Sequence, residues 1–147
     1  MGKKIKTRHR SASAKRVAAY ARVSLETDRL AHSLAAQTSY YSEFIRCQPG
    51  WVSAGIYADS FISGTGISNR TEFQRLIADC EEDRIDIVLC KSISRFARNT
   101  VDLLRTVRRL KELGVEVRFE KEGISSLSDE GELMLTILAS FAQEESR

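Results

Sequence analysis

Short apolar runs alternate with amphipathic segments along most of this 147-residue chain. Three runs are nearly continuous in apolar residues, which is typical of strands buried on both faces: Val17–Val23, Trp51–Ala58 and Ile85–Cys90. Val115–Phe119 is predicted as a fourth strand. After each run, apolar residues recur every three or four positions, which predicts a helix. This β-α order predicts an α/β fold with a mostly parallel sheet of four to five strands and helices on both faces.

Polar residues indicate where the predicted helices begin and end. Ser33 is a candidate cap for the first helix, and Asn69 followed by Glu72 is a capping-box pattern for the second. Asn99 starts the third helix, which Gly114 ends. Loops are predicted between these elements, over residues 24–32, 59–70, 91–99 and 125–131.

Positive charge is concentrated at the start of the chain. Residues 1–16 hold seven Lys and Arg and no acidic residue, so the remainder has 16 basic and 20 acidic residues. The body is therefore not a uniformly basic nucleic-acid binder. We expect a flexible basic arm over 1–14, a core over 15–131, and a last helix over 132–147. That helix reaches the chain end without a glycine or proline stop, which indicates a chain cut from a longer protein.

Cysteine usage and hydropathy exclude several classes of protein. Cys47, Cys80 and Cys90 are widely spaced and form no CxxC pair, so we expect neither a disulfide framework nor a metal site, and a reducing cytoplasm fits best. The chain has no run of eighteen apolar residues, so no membrane span is predicted. The basic start is not followed by the apolar stretch of a secretory signal, so no such signal is predicted.

Candidate chemistry falls where the predicted strands end, because ligand sites of open parallel sheets form beyond the carboxyl ends of the strands. Arg22 and Ser24 are two apart at the end of the first strand, so their side chains leave on the same side. Ser24 is placed to act as a nucleophile or to donate to a phosphate. Taken alone, this tripeptide is more often a polar strand terminus.

Arginines follow the other strand ends. Arg95 and Arg98 are three apart at a helix entry, and two guanidinium groups there make either a phosphate site or a solvated basic face. Arg70 is a third positive group from the loop before it. Asp59 either orients these arginines or serves as a turn or cap aspartate.

Several simpler assignments fit poorly. The loop glycines Gly64 and Gly66 match neither a Walker A sequence nor GxGxxG, and His9 and His32 have no partner at metal-ligand spacing. Ser24 would therefore rely on arginines to stabilise charge. Two other functions stay open: a non-catalytic α/β module that binds a phosphate or nucleotide, and an interaction module that dimerises through the last helix.

In chain order, the motifs resemble the catalytic domain of serine site-specific recombinases, the resolvase/invertase family. The resemblance covers residues 16–147, and the SISRFARN form is most similar to the large serine recombinases. It rests on Tyr20-Ala21-Arg22-Val23-Ser24, Gln37, Asp59, Arg70, Ser94-Arg95-Phe96-Ala97-Arg98-Asn99 and Ala142-Gln143-Glu144-Glu145. Two positions depart from the small members of the family: Ser94 stands where they usually have aspartate, and Ser146 where they often have arginine.

The resemblance implies a role for each matching residue. Ser24 would attack a DNA phosphodiester to form a 5′-phosphoserine link, without metal, ATP or other cofactor. Arg22, Arg95 and Arg98 would bind the scissile phosphate. Asp59, Arg70 and Gln37 match further active-site positions, and Glu145 matches an acidic position at the start of the long dimer-interface helix.

The resemblance also implies the partners. These are double-stranded DNA at recombination sites, and other copies of the chain in a homodimer and a synaptic homotetramer of the full-length protein, with no membrane involved. The family's DNA-recognition domains follow the long helix and are absent from this chain, so we expect weak, salt-sensitive DNA binding.

Overall fold

The computed structural model describes residues 14–24, 30–62, 67–68, 70–97 and 99–145; the side chains at 24, 30–33, 61–62, 67–68, 139 and 141–145 lie outside that description. Its sheet has the order β3-β2-β1-β4-β5-β6. Four strands are parallel, as predicted: β1 (Lys15–Ser24), β2 (Trp51–Ile62), β4 (Ile87–Cys90) and β5 (Glu116–Phe119). Two-residue strands, β3 (Ile67–Ser68) and β6 (Ile124–Ser125), extend its edges in antiparallel pairing.

Five helices accompany the sheet in the described part of the chain: α1 (Leu30–Cys47), α2 (Thr71–Glu81), α3 (Ile93–Phe96), α4 (Thr100–Glu112) and α5 (Asp129–Glu145). On one face, Tyr41 and Ile45 of α1 pack against Val17, Ala19 and Leu89. The other face carries the larger core, to which α2, α3, α4 and α5 contribute. Helices therefore cover both faces, and the α/β prediction is confirmed. None of the described helices is long and apolar enough to cross a membrane.

Strand β1 is the centre of the fold because it pairs with β2 on one side and β4 on the other. Its alternate side chains enter different cores: Val17 and Ala19 face α1, whereas Ala18 and Tyr20 face the helices of the opposite side. A strand buried on both faces needs apolar residues at successive positions, which explains the continuous run in the sequence.

Strand β2 is longer than its hydrophobic pattern predicts. It continues past Ala58 to Ile62 because β1 offers it backbone partners as far as the pair Ser24 and Phe61. The loop predicted over 59–70 is therefore partly strand, and Ile67–Ser68 pairs back onto it. Residues 63–66 and 69, which include Gly64, Gly66 and Asn69, lie outside the described residues.

The other boundaries move by a few residues. Helix α1 begins at Leu30, so Ser33 lies inside it rather than capping it. The loop predicted over 91–99 contains the single helical turn α3. Helix α5 begins at Asp129, three residues before the predicted start, where the Ser128 hydroxyl accepts the Gly131 amide at 2.9 Å. The cap predicted for α4 is confirmed, since the Asn99 side chain accepts the Asp102 amide at 2.8 Å.

At the amino end of β1, Arg16 is held between two acidic residues. Its guanidinium donates to Asp86 through Nε at 2.9 Å and Nη2 at 2.8 Å, and to the Asp83 carbonyl at 2.6 Å. Burial opposes ionisation of Asp86, but the hydrogen bonds from Arg16 outweigh it and hold the pKa of that carboxyl below its ordinary value. This arginine therefore joins the start of β1 to the turn before β4.

Candidate active site at the carboxyl edge of the sheet

Ser24 is the last residue of β1, at the carboxyl edge where the sequence places the site. Its Cα pairs with that of Phe61, and two residues earlier Arg22 pairs with Asp59. Arg22 is half-buried. The side chain of Ser24 lies outside the described residues, so the geometry of this site is that of the groups around the strand end.

Arg95 reaches this strand end from the turn after β4. Its Nη1 donates to the carbonyl oxygen of Arg22 at 2.6 Å, although the two residues are 73 positions apart in the chain. The Arg95 side chain is half-buried. The structure thus joins the two motifs that the sequence analysis singled out, and it places a guanidinium two residues before the predicted nucleophile.

The turn that carries Arg95 is fixed at several points. Ser92, only 5% exposed, accepts the Arg95 amide on its hydroxyl oxygen at 3.3 Å. That oxygen lies 3.1 Å from the hydroxyl of Ser94. Phe96 is fully buried between the rings of Phe73 and Phe119. The sequence analysis missed Ser92. A serine just before a helical turn is a common N-cap, because its hydroxyl can accept the amide of the third residue of the turn, here Arg95.

Arg70, the third positive group of the sequence analysis, is bound within the protein. Its Nη2 donates to the Phe96 carbonyl at 2.6 Å, and Nη1 lies 3.7 Å from the Asp102 carboxylate. The guanidinium also lies 3.9 Å from the centre of the Phe73 ring, and the side chain is only 9% exposed. Through these contacts, Arg70 at the start of α2 connects to the end of α3 and the start of α4.

The contacts of Asp59 match the capping role that the sequence left open. Its carboxylate accepts the backbone amides of Glu72 at 2.9 Å and Phe73 at 3.0 Å, at the start of α2. It also accepts the Tyr20 hydroxyl at 2.7 Å. Burial and this hydrogen bond raise the pKa of Tyr20, while the positive charge of Arg70 opposes the rise. Asp59 and Tyr20 therefore connect β1, β2 and α2 beneath the edge.

Gln37 lies on α1, which covers one face of the sheet. It is half-buried on α1, one turn before Tyr41, which packs on the sheet face opposite to Tyr20. The Tyr41 hydroxyl donates to Glu120, just after β5, at 3.1 Å. Two other predicted residues give no side-chain geometry: Arg98 lies outside the described residues, and Glu145 is described only as the last residue of α5.

The edge therefore combines one serine position with guanidinium groups of two kinds. Arg95 donates to the Arg22 carbonyl at the strand end, whereas the Arg70 side chain is only 9% exposed and lies beside the Asp102 carboxylate. Guanidinium groups stay charged at any working pH and match the oxygens of a phosphate in two-point contact. Chemically, this arrangement suits a serine hydroxyl that reacts at a phosphate.

Comparison with known proteins gives a consistent result. A family model described as "Resolvase, N terminal domain" matches residues 17–147. The chain is similar to the crystal structure of a resolvase family site-specific recombinase from Streptococcus pneumoniae, with 33% identity, a TM-score of 0.74 and coverage of 90% of this chain and 88% of that one. It is also similar to the N-terminal catalytic domain of TP901-1 integrase, with 29% identity, a TM-score of 0.67 and coverage of 90% and 97%.

Curated relatives match over shorter stretches. Transposon Tn3 resolvase of Escherichia coli is 30% identical over 95 residues, which are 64% of this chain and 51% of the relative. A resolvase/recombinase of Pseudomonas putida is 34% identical over 90 residues, which are 61% and 48% of the two proteins. The chain spans about half the length of the curated relatives it matches.

Proposed function

Because the chain belongs to the resolvase N-terminal domain family, we propose that it is the catalytic domain of a site-specific DNA recombinase and that Ser24 is its nucleophile. The position of Ser24 at the carboxyl edge of the sheet supports this assignment. The similarity to the catalytic domain of an integrase supports a role in DNA integration or excision.

The proposed reaction is a transesterification. The Ser24 oxygen forms a bond to the phosphorus of a DNA phosphodiester and loses its proton to solvent or to a nearby base. The bond from phosphorus to the 3′ oxygen breaks, and that oxygen takes up a proton as a 3′-hydroxyl. The 5′-phosphoserine link keeps the energy of the original ester, so the reverse attack by a new 3′-hydroxyl rejoins the strands without ATP or any cofactor.

The arginines at the edge stabilise the charge that develops on phosphorus-bound oxygens. Arg22 and Arg95, both half-buried, contact the scissile phosphate together with Arg98. Arg70 and Asp59 are positioning residues in this proposal, because their contacts run to Phe96, Tyr20 and the start of α2. Gln37 would approach the DNA from α1.

The proposed partners are double-stranded DNA and further copies of the chain, first as a dimer and then as a synaptic tetramer. On α5, Leu133 is 62% exposed and Ile137 is 47% exposed, one turn apart on one side of the helix. These two exposed apolar side chains support assembly along α5, with Glu145 at its end. We place the reaction in the cytoplasm, because its reducing environment keeps thiols such as the three free cysteines of this chain reduced, and because the proposed DNA substrate is present there.

The observation that carries the proposal is the hydrogen bond from Arg95 to the Arg22 carbonyl, because it brings a phosphate-binding group to the strand that ends in Ser24. The test uses the protein at the full length its gene encodes. It is incubated with a supercoiled plasmid that carries the DNA flanking the gene, and then denatured. We expect labelled DNA to stay attached to the protein through an alkali-labile serine phosphate.

Ser24→Ala should abolish the adduct while the protein keeps its melting temperature. Ser53→Ala is the matched control, because it removes a serine hydroxyl near the amino end of β2 and should leave the adduct unchanged. A covalent adduct in Ser24→Ala, or tight binding of a free nucleotide with no adduct in the unmodified protein, would refute the proposal.

A further inference from the structure

We infer that Ser92 is a positioning residue for the reaction: its hydroxyl holds the single turn α3 in the conformation that delivers Arg95 to the end of β1. The inference rests on the proposed function, because it assigns Ser92 a part in presenting Arg95 to a DNA phosphate. It adds a residue that the motif comparison did not include.

The turn needs external support. Helix α3 has four residues, Ile93–Phe96, and one isolated helical turn does not repay the entropy of fixing its backbone. It follows the buried strand β4 directly, and its orientation decides where the Arg95 guanidinium lies. A rotation of the turn by about 20° would move the guanidinium by about 2 Å, because it lies about 6–7 Å from its own Cα.

Ser92 supplies that support at the start of the turn. Its hydroxyl oxygen accepts the Arg95 amide at 3.3 Å, and the Ser92 carbonyl lies 3.2 Å from the same amide. Ser92 is itself held in place, because it is 5% exposed and its carbonyl accepts the Cys90 thiol at 3.4 Å. The backbone of the residue that carries the guanidinium is therefore bound to a buried, immobile neighbour.

The remaining contacts of the turn come from outside it. The Ile93 amide donates to the Glu122 carboxylate at 3.2 Å, and the Phe96 carbonyl accepts Arg70 at 2.6 Å. At the other end of the Arg95 side chain, the bond to the Arg22 carbonyl fixes the guanidinium. Ser92 is the contact that acts on the backbone of Arg95 itself, so its loss should loosen Arg95 more than it loosens the fold.

The test compares Ser92→Ala with Ser126→Ala in the full-length protein. Ser126 is an appropriate match because it is 3% exposed and its hydroxyl likewise accepts one backbone amide, that of Val117, at 2.9 Å. Both variants should lose a similar amount of stability in thermal unfolding. Only Ser92→Ala should slow adduct formation at saturating DNA, about fivefold, with DNA affinity unchanged. Ser92→Thr, which keeps the hydroxyl, should restore the rate.

A second measurement needs no DNA. Hydrogen exchange at the Arg95 amide should accelerate in Ser92→Ala and stay slow in Ser126→Ala. An unchanged rate of adduct formation in folded Ser92→Ala, or an equal loss of rate in both variants, would overturn the inference while leaving the proposed function intact. If the unmodified protein forms no adduct, the proposed function fails, and the exchange result then reports on the turn alone.

Discussion

The arginines at the two ends of strand β1 have different hydrogen-bond partners. At the amino end, Arg16 donates to both oxygens of Asp86, so its charge is neutralised inside the protein. At the carboxyl end, the partner that the described residues give the Arg95 guanidinium is a neutral carbonyl, that of Arg22. A hydrogen bond to a carbonyl orients a guanidinium without cancelling its charge. The amino-end ion pair therefore stabilises the fold, whereas the charge of Arg95 is the one that the proposed function assigns to a DNA phosphate.

Arg70 shows that burial as well as pairing separates these two roles. It lies at the carboxyl side of the sheet, but its side chain is 9% exposed and packs on Phe73. Its contact with Asp102, at 3.7 Å, is partly neutralising. Position at the carboxyl edge therefore does not by itself assign an arginine to the phosphate in the proposed function: Arg70 is buried beside a carboxylate, whereas the described partner of Arg95 is a neutral carbonyl.

Among the variants that compare the two ends of β1, the replacement of Arg95 has the largest expected effect. Arg95→Ala should lower the rate of adduct formation by about 10²–10³, the usual cost of losing one donor to a developing oxyanion. Arg95→Lys should recover little of that rate, because an ammonium group offers no planar pair of donors. The rate is measured at saturating DNA with labelled substrate, under denaturing electrophoresis.

Arg16→Met is the control for this variant, because it removes a guanidinium from the other end of the same strand. It should lower stability and leave the rate per folded molecule within about twofold. Equal losses of rate in Arg95→Ala and Arg16→Met would remove the distinction between the two ends of β1.

The sequence predicts this arrangement in outline because parallel strands share one edge. The apolar runs locate β1 and β4, so Ser24 and Arg95, which follow them, had to approach each other. The hydrophobic pattern also predicts that Val101, Leu104, Val107 and Leu110 form the core side of α4. The last three are buried, and Val101 is half-buried. These features depend on local periodicity and chain order alone.

The side-chain partners could not be predicted in the same way. Asp59 and the amides of α2 are thirteen and fourteen residues apart, and they meet only because β2 continues through Ile62 along the extended β1. Tyr20 stands in an apolar run that predicts burial but carries no sign of its hydroxyl bond to Asp59. Partners of this kind depend on tertiary geometry.

Asp59 provides the next test, because it is a carboxylate at the carboxyl end that binds neutral groups rather than an arginine. Asp59→Ala leaves two amides and the Tyr20 hydroxyl without their buried acceptor, which should cost about 2–3 kcal/mol in the free energy of unfolding. Urea denaturation measures this cost. Since the partners are uncharged, the loss should hardly change between low and high salt.

Tyr20→Phe refines this test. Alone it should cost about 1 kcal/mol, because it removes one donor. In the double variant with Asp59→Ala the two losses should not add, since both remove the same hydrogen bond. Additive losses, or a strong dependence on salt, would show that Asp59 acts as a charge partner and not as the cap of α2.

A smaller effect than that of Asp59→Ala concerns the ion pair at the amino end. The pKa of Asp86 is lower in the folded protein than in the unfolded chain, so the folded state gains stability from its ionised form. That gain is fully present above the ordinary pKa of an aspartate, about 4, and is lost as the pH falls through the lowered folded-state value.

Arg16→Met should lower the free energy of unfolding by about 1–2 kcal/mol at neutral pH and flatten the acid limb of the stability curve. Unfolding measured from pH 7 to pH 3 tests this, with Arg109→Met as the matched control because Arg109 and its partners Glu81 and Glu112 are all exposed. An acid limb equally steep in Arg16→Met and the unmodified protein would mean that the Arg16–Asp86 ion pair does not stabilise the fold. The contrast between the two ends of β1 would then rest on Arg95 alone.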